Sequence, residues 1–142
     1  MRTTTTIDLR EATVALAAMR AELAKRSARA VIAVADAQGD VIALERLDGA
    51  PSSSVPIAMN KAWTAVCQAA ATRAIGDRVR SAERLDVAYY GDSRICGWAG
   101  GLPVLHDGVV IGSVAVSGLS EDDDEAIAEI GRRALLGALA AV

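Results

Sequence analysis

The chain has 142 residues, 52% of them apolar, a length and composition that fit one domain spanning 1–142 with one continuous core. Fifteen basic residues against 18 acidic ones leave a formal net charge of −3 without a Lys/Arg cluster, which argues against nucleic acid as a partner. Phe is absent, so the core must be built from small side chains packed closely, and some apolar surface is expected to be buried against further copies of the chain.

The segment Met1 to Thr6 is a run of Thr with one charge; a secretory leader is not expected, and a cytoplasmic location is the default. Asp8 with Glu11 three residues later is a capping-box start, and Leu9, Ala12, Leu16, Met19 and Leu23 repeat at helical spacing to about Ser27. Ala30 to Ala35 and Val41 to Glu45 flank turn residues and predict a hairpin. The unbroken apolarity of its first strand predicts cover on both faces, by the first helix and by a later one. After a Gly/Pro/Ser loop, a second helix is expected from about Pro56 to Arg73, with Met59, Trp63, Val66, Cys67 and Ala70 inward and Lys61 outside the core. The stretch 75–101 has no sustained period and five glycines, which predicts a long ordered loop with short helical pieces. Asp107-Gly108 between two Val-rich runs predicts a second hairpin. Ser120 ahead of four acidic residues opens the last helix, and those carboxylates are read as answering the positive end of its dipole. The order of elements points to an antiparallel sheet packed by helices. No apolar stretch is long enough to span a bilayer.

The blocks 33–39 (AVADAQG), 44–50 (LERLDGA), 60–65 (NKAWTA), 100–104 (GGLPV), 107–112 (DGVVIG), 116–118 (VSG) and 124–125 (DE), in this order, resemble the GlcG/HbpS-like family, the DUF336 or haem-degrading group that includes domains like the C-terminal part of PduO. The resemblance runs from about Leu9 to Ala134. It implies a profilin-like α-β-α sandwich of the α+β kind, with an antiparallel sheet and helices on its faces, assembled as a homo-oligomer, often an octamer. It also implies haem or another tetrapyrrole as ligand, or a role in small-molecule catabolism. Haem-binding members that ligate iron through histidine use one in the N-terminal helical region, and this chain has none there. The one histidine, His106, falls beside the second hairpin turn and is expected in solvent.

From the residues themselves, a pocket for a small ligand is expected where the 94–103 loop meets the sheet, with Arg46, Lys61, Arg94, Trp98, Gly100, Gly101, Leu102 and Pro103 as its binding residues. The paired glycines allow close backbone approach, and the cations suit an anionic head group. The haem reading and a small-carboxylate reading stand side by side here. The alternative is a cofactor-independent enzyme, of isomerase, lyase or dehydratase type, acting on a small oxygenated acid. Its catalytic candidates are Lys61, Arg46, Glu45 and Tyr90, with Asp36 and Tyr89 behind them. Cys67 and Cys96 are read as reduced and buried, and Cys96 has no base beside it in the sequence. Neither cysteine has metal-site spacing, and no metal site is expected.

Overall fold

Asp8 begins the first element as its sequence predicts: its carboxylate accepts from the Arg10 and Glu11 N–H groups, and Glu11 accepts from the Asp8 N–H. This caps α1 (Leu9–Lys25), in the computed structural model that describes residues 1–81 and 86–142. Ala12, Leu16, Met19 and Leu23 are buried, but Leu9 is 61% exposed because α1 meets the core only from Ala12 onward.

Both predicted hairpins form. Strands β1 (Val31–Ala35), β2 (Val41–Arg46), β3 (Gly101–His106) and β4 (Val109–Ser117) make one antiparallel sheet in the order β2-β1-β4-β3. Asp107 and Gly108 both take positive φ, 50° and 76°, as a two-residue turn between right-twisted strands requires. Pro103 sits on β3, an edge strand, and the pairing register shifts just after it, between Val104 and Leu105.

Strand side chains alternate between two faces. Ile32 and Val34 of β1, with Val114 and Val116 of β4, join the core beneath α1 and α4 (Glu121–Ala140). Val31, Ala33 and Ala35 face α2 (Ser54–Cys67) through Ala58 and Ala62. The sheet thus lies between one helix and a pair, and β1 is buried on both sides as its composition predicts.

The second helix differs from expectation in length and in orientation. It ends at Cys67, Ala69 follows with φ of 49°, and a separate helix α3 (Thr72–Arg80) occupies the start of the expected loop. A short 3-10 turn, Val87–Tyr90, follows later in that stretch. On α2 the buried face is Ala58, Lys61, Ala62, Thr64 and Ala65, while Met59 is 43% exposed and Cys67 is exposed. The cause is steric: the sheet presents Ala33, Ala35 and Ala115 to this helix, which meets them with Ala58 and Ala62, so the bulkier Met59 lies outward while the long Lys61 side chain reaches past the alanines to the Val116 carbonyl. The helix therefore rides close to the strands. Ser113 Oγ donates to the Ala62 carbonyl at 2.8 Å, and a Cβ placed on Gly101 would stand 2.6 Å from the Lys61 carbonyl oxygen.

Gly76 of α3 fixes the following loop, since a Cβ there would stand 2.0 Å from the Gly97 carbonyl oxygen. Gly76→Ala is expected to cost about 1–3 kcal/mol of stability through this overlap. At Gly137, exposed on α4 with open space around its Cβ position, alanine is expected to add about 0.5–1 kcal/mol by restricting the unfolded chain and favouring helix. Urea denaturation midpoints of the two variants, moving in opposite directions, check both.

Candidate functional site

The close seat of α2 on the sheet carries Lys61 inside the molecule. Expected outside the core, it is 2% exposed and among the largest fully buried side chains. Its Nζ donates to the Val116 carbonyl at 2.8 Å and to Asp124 Oδ2 at 3.0 Å. Asp124 belongs to the acidic first turn of α4, which Ser120 caps by accepting the Asp123 N–H. Unlike Asp122 and Asp123 beside it, Asp124 is buried, so an ion pair adds to the dipole role expected for that turn. Its Oδ1 accepts the Leu119 N–H at 3.0 Å, and the Gly118 N–H also bonds the carboxylate. Burial pushes the Asp124 carboxyl up, against the lowering pull of Lys61 and the backbone donors.

Because α2 and α4 lie on opposite faces of the sheet, this pair crosses between layers at the end of β4. The crossing needs Gly100. A Cβ there would meet the Val116 carbonyl oxygen at 2.6 Å, Asp124 Cβ at 2.8 Å and Lys61 Nζ at 3.0 Å, and its φ of 122° excludes most other residues.

An ammonium has three N–H donors, and two are used in this way. Lys61 and Asp124 also line a pocket of about 300 Å³ with Ser54, Ser117, Glu121, Trp98 and the apolar Pro51, Ile57 and Leu119, and the third N–H has no acceptor among the described residues. Ser54 and Ser117 are 5% and 4% exposed, and neither hydroxyl bonds another described residue. Glu121 accepts the Ala99 N–H at 2.9 Å through Oε1, which also lies 3.9 Å from an Arg80 nitrogen. The pocket lining thus carries one cation, Lys61, paired with Asp124, and one further carboxylate, Glu121. Arg80 approaches Glu121 from outside the pocket while lying nearer Asp77, so what the pocket offers an acid is the directed N–H and O–H donors and not a positive net charge.

The other residues expected at a site are distributed more widely. Gly101 packs against α2 and donates its N–H to the Thr72 hydroxyl at 2.9 Å. Leu102 and Pro103 are buried in β3, Leu102 toward α1 and α4. Arg46 is exposed, with its Nε on the Ala50 carbonyl, and Glu45 is held by Arg20 at 2.7 Å. Arg94 lies 3.9 Å over the Trp63 ring and grips Asp92, whose carboxyl it pulls down to about 2. Asp36 accepts backbone N–H groups within its own turn, and Tyr89 is 81% exposed. The Tyr90 hydroxyl is buried without a partner among the described residues, outside the pocket lining. Lys61, Trp98 and Gly100 come together; Arg46, Arg94, Glu45 and Tyr90 do not join them.

Cys96 is half-buried, its N–H donates to Thr64 Oγ1, and desolvation raises its thiol pKa. His106 is exposed on the hairpin, 3.6 Å from Asp107. The pocket lining therefore contains none of the side chains, His, Cys, Met or Tyr, that commonly ligate haem iron, and Lys61 is engaged by two acceptors. A histidine-ligated haem does not fit these residues. Among the described residues no group of three or more His, Cys, Asp or Glu stands where it could hold a metal ion, and no helix is long and apolar enough to cross a membrane.

With this geometry in view, the family model described as "Haem degrading protein HbpS-like" matches residues 7–133. The chain belongs to the HbpS-like family. It is 35% identical over 125 residues to an "Uncharacterized 15.0 kDa protein in dhaT-dhaS intergenic region" of Citrobacter freundii, covering 87% of this chain and 88% of that protein. The crystal structure of Klebsiella pneumoniae ORFY, described under DUF336, superposes with a TM-score of 0.89 at 29% identity, covering 96% of this chain and 94% of that one. A crystal structure described as a PduOC:haem complex superposes at 0.84 with 25% identity, over 92% and 95% of the two chains. Among HbpS-like folds this one is thus a mixed α/β domain with an antiparallel sheet, as its sequence blocks imply.

Lys61→Met alone is expected to cost about 3–5 kcal/mol, because it strands Asp124 as a buried charge. The double variant Lys61→Met/Asp124→Leu is expected to recover most of that loss. Chemical denaturation of wild type, both single variants and the double completes the cycle, and equal losses in single and double variants would contradict it.

Proposed function

We propose that this chain is a self-assembling small-ligand-binding protein whose ligand presents a carbonyl or carboxylate oxygen to the third N–H of Lys61. The observation that carries this is a fully buried ammonium with two protein acceptors, lining a pocket beside two near-buried serine hydroxyls. A donor held in place before the ligand arrives loses little freedom on binding. The ligand class is a small oxygenated organic acid, which accords with the role in small-molecule catabolism that the resemblance implies. Isothermal titration with a panel of short 2-oxo and 2-hydroxy acids is the test. Saturable binding is expected, weakened about tenfold by Ser54→Ala or Ser117→Ala, on the usual scale of a lost hydrogen bond. A panel without binding would overturn the reading.

A tetrapyrrole is the second reading, supported by the family description and by the relative crystallised with haem. In this chain haem would be held by contact with apolar surface such as Trp98 and without an imidazole bond to iron. In a haemin titration, a saturable shifted Soret band that is unchanged in His106→Ala is expected on this reading; an unshifted band at excess haemin would remove it.

Catalysis at the same pocket, in place of binding alone, would rest on Lys61 to polarise a carbonyl and on Glu121 as the base, since the Asp124 oxygens are filled by Lys61 and two backbone donors. The further expectations are assembly into a homo-oligomer of octamer size and a cytoplasmic location. Exposed apolar side chains such as Met59, Leu105 and Val109 supply surface for self-association. Light scattering coupled to size exclusion, giving a mass well above the 14.6 kDa chain, checks the assembly.

A further inference from the structure

Trp98 is 58% exposed, yet it lines two cavities at once. On one side is the pocket of Lys61, Ser54 and Ser117, whose remaining wall includes Pro51, Ile57 and Leu119. On the other is a smaller one of about 160 Å³, walled by the aliphatic side chains of Ile75, Val79, Val87 and Ile95. The backbone on either side of Trp98 is held in place. Gly97 is pressed against Gly76 of α3, and the Ala99 N–H is held by Glu121 at the start of α4. Arg80, 3.9 Å from Glu121, lines the apolar cavity at the same junction.

Two hollows that share one aromatic wall, one holding several directed polar groups and the other mostly aliphatic, match a molecule with an oxygenated head and an apolar tail. The pocket beside Lys61 is by itself at the small end of ligand sites, and the adjacent aliphatic hollow would extend the room for a ligand. We infer that the two cavities form one cleft, and that the ligand is an acid whose oxygenated head meets Lys61 while an alkyl or aryl tail crosses Trp98 into the Ile75–Val79–Val87–Ile95 hollow. This rests on the acid reading of the Lys61 pocket and adds the tail. It assigns α3 a specificity role: the head is common to all substrates, and the length and bulk of the tail decide among them.

The test is a chain-length series of straight-chain 2-oxo acids, from pyruvate to 2-oxooctanoate, titrated calorimetrically into the full-length protein. Affinity is expected to rise about threefold to fourfold per added methylene until the apolar cavity is filled, and then to level. Val79→Asp and the more exposed Val87→Asp place a carboxylate in that cavity; each is expected to leave pyruvate binding unchanged and to abolish the gain with length. Two variants are used so that a folding defect in one leaves the other to report. A flat series, with pyruvate still bound, would overturn the tail site and leave the acid reading intact. A length gain that persists in both Asp variants would overturn it as well. Failure of every acid to bind would remove the acid reading itself, and the tail site with it.

Discussion

The hydrogen-bonded ion pair between Lys61 and Asp124 is the constraint around which the pocket end of the molecule is arranged. Each partner comes from a helix on a different face of the sheet, and neither is in water. Removing two charges from water is costly, and their attraction in the interior offsets this only where further hydrogen bonds satisfy both groups. Those bonds are present: the Val116 carbonyl for the ammonium, and the Leu119 and Gly118 N–H groups for the carboxylate. The close packing of these groups explains why backbone without a side chain passes the pair at Gly100. A stability role and a ligand role are compatible here, because the pair leaves one donor unused.

That geometry depends in turn on small residues. A lysine on a helix seated at ordinary distance over bulky strands would extend into solvent along the helix surface. Here Ala33, Ala35, Ala58, Ala62 and Ala115 let α2 settle onto the strands, and the long Lys61 side chain runs within the layer to the sheet end. The absence of Phe noted in the composition is thus connected to the site: a large aromatic at this contact would lift the helix and withdraw the ammonium.

Most of the architecture was legible in the residue pattern. The Asp8 capping box, the Asp107-Gly108 turn, the doubly buried β1 and the start of α4 at Ser120 all follow from local rules that the folded chain obeys. The inward face of α2 was not legible, because periodicity places the bulkier apolar residues inward and cannot register that the opposing strands present mostly alanines, close enough to be met by alanines. For the same reason Lys61 read as an outside residue, although as a cation within reach of the expected pocket it was among the candidates. Asp124 was hidden in a run of four acids, where only depth separates it from its neighbours. Ser54 and Ser117 gave no signal: isolated serines at a helix start and a strand end are common, and burial beside a pocket is a property of the tertiary structure. Arg46 and Arg94 had nearer acceptors than the pocket.

The placement of Pro103 on β3 has a consequence for how copies of this chain can meet. An open sheet edge normally offers a row of backbone donors and acceptors to any extended segment that approaches it, which is the usual route to runaway strand stacking. At this rim the ring nitrogen of Pro103 has no hydrogen to offer, and the register shift at Val104/Leu105 breaks the row again two residues on. Growth by continuous hydrogen bonding is interrupted there, so any contact between copies on this side would rest on side-chain complementarity and not on an extended ladder.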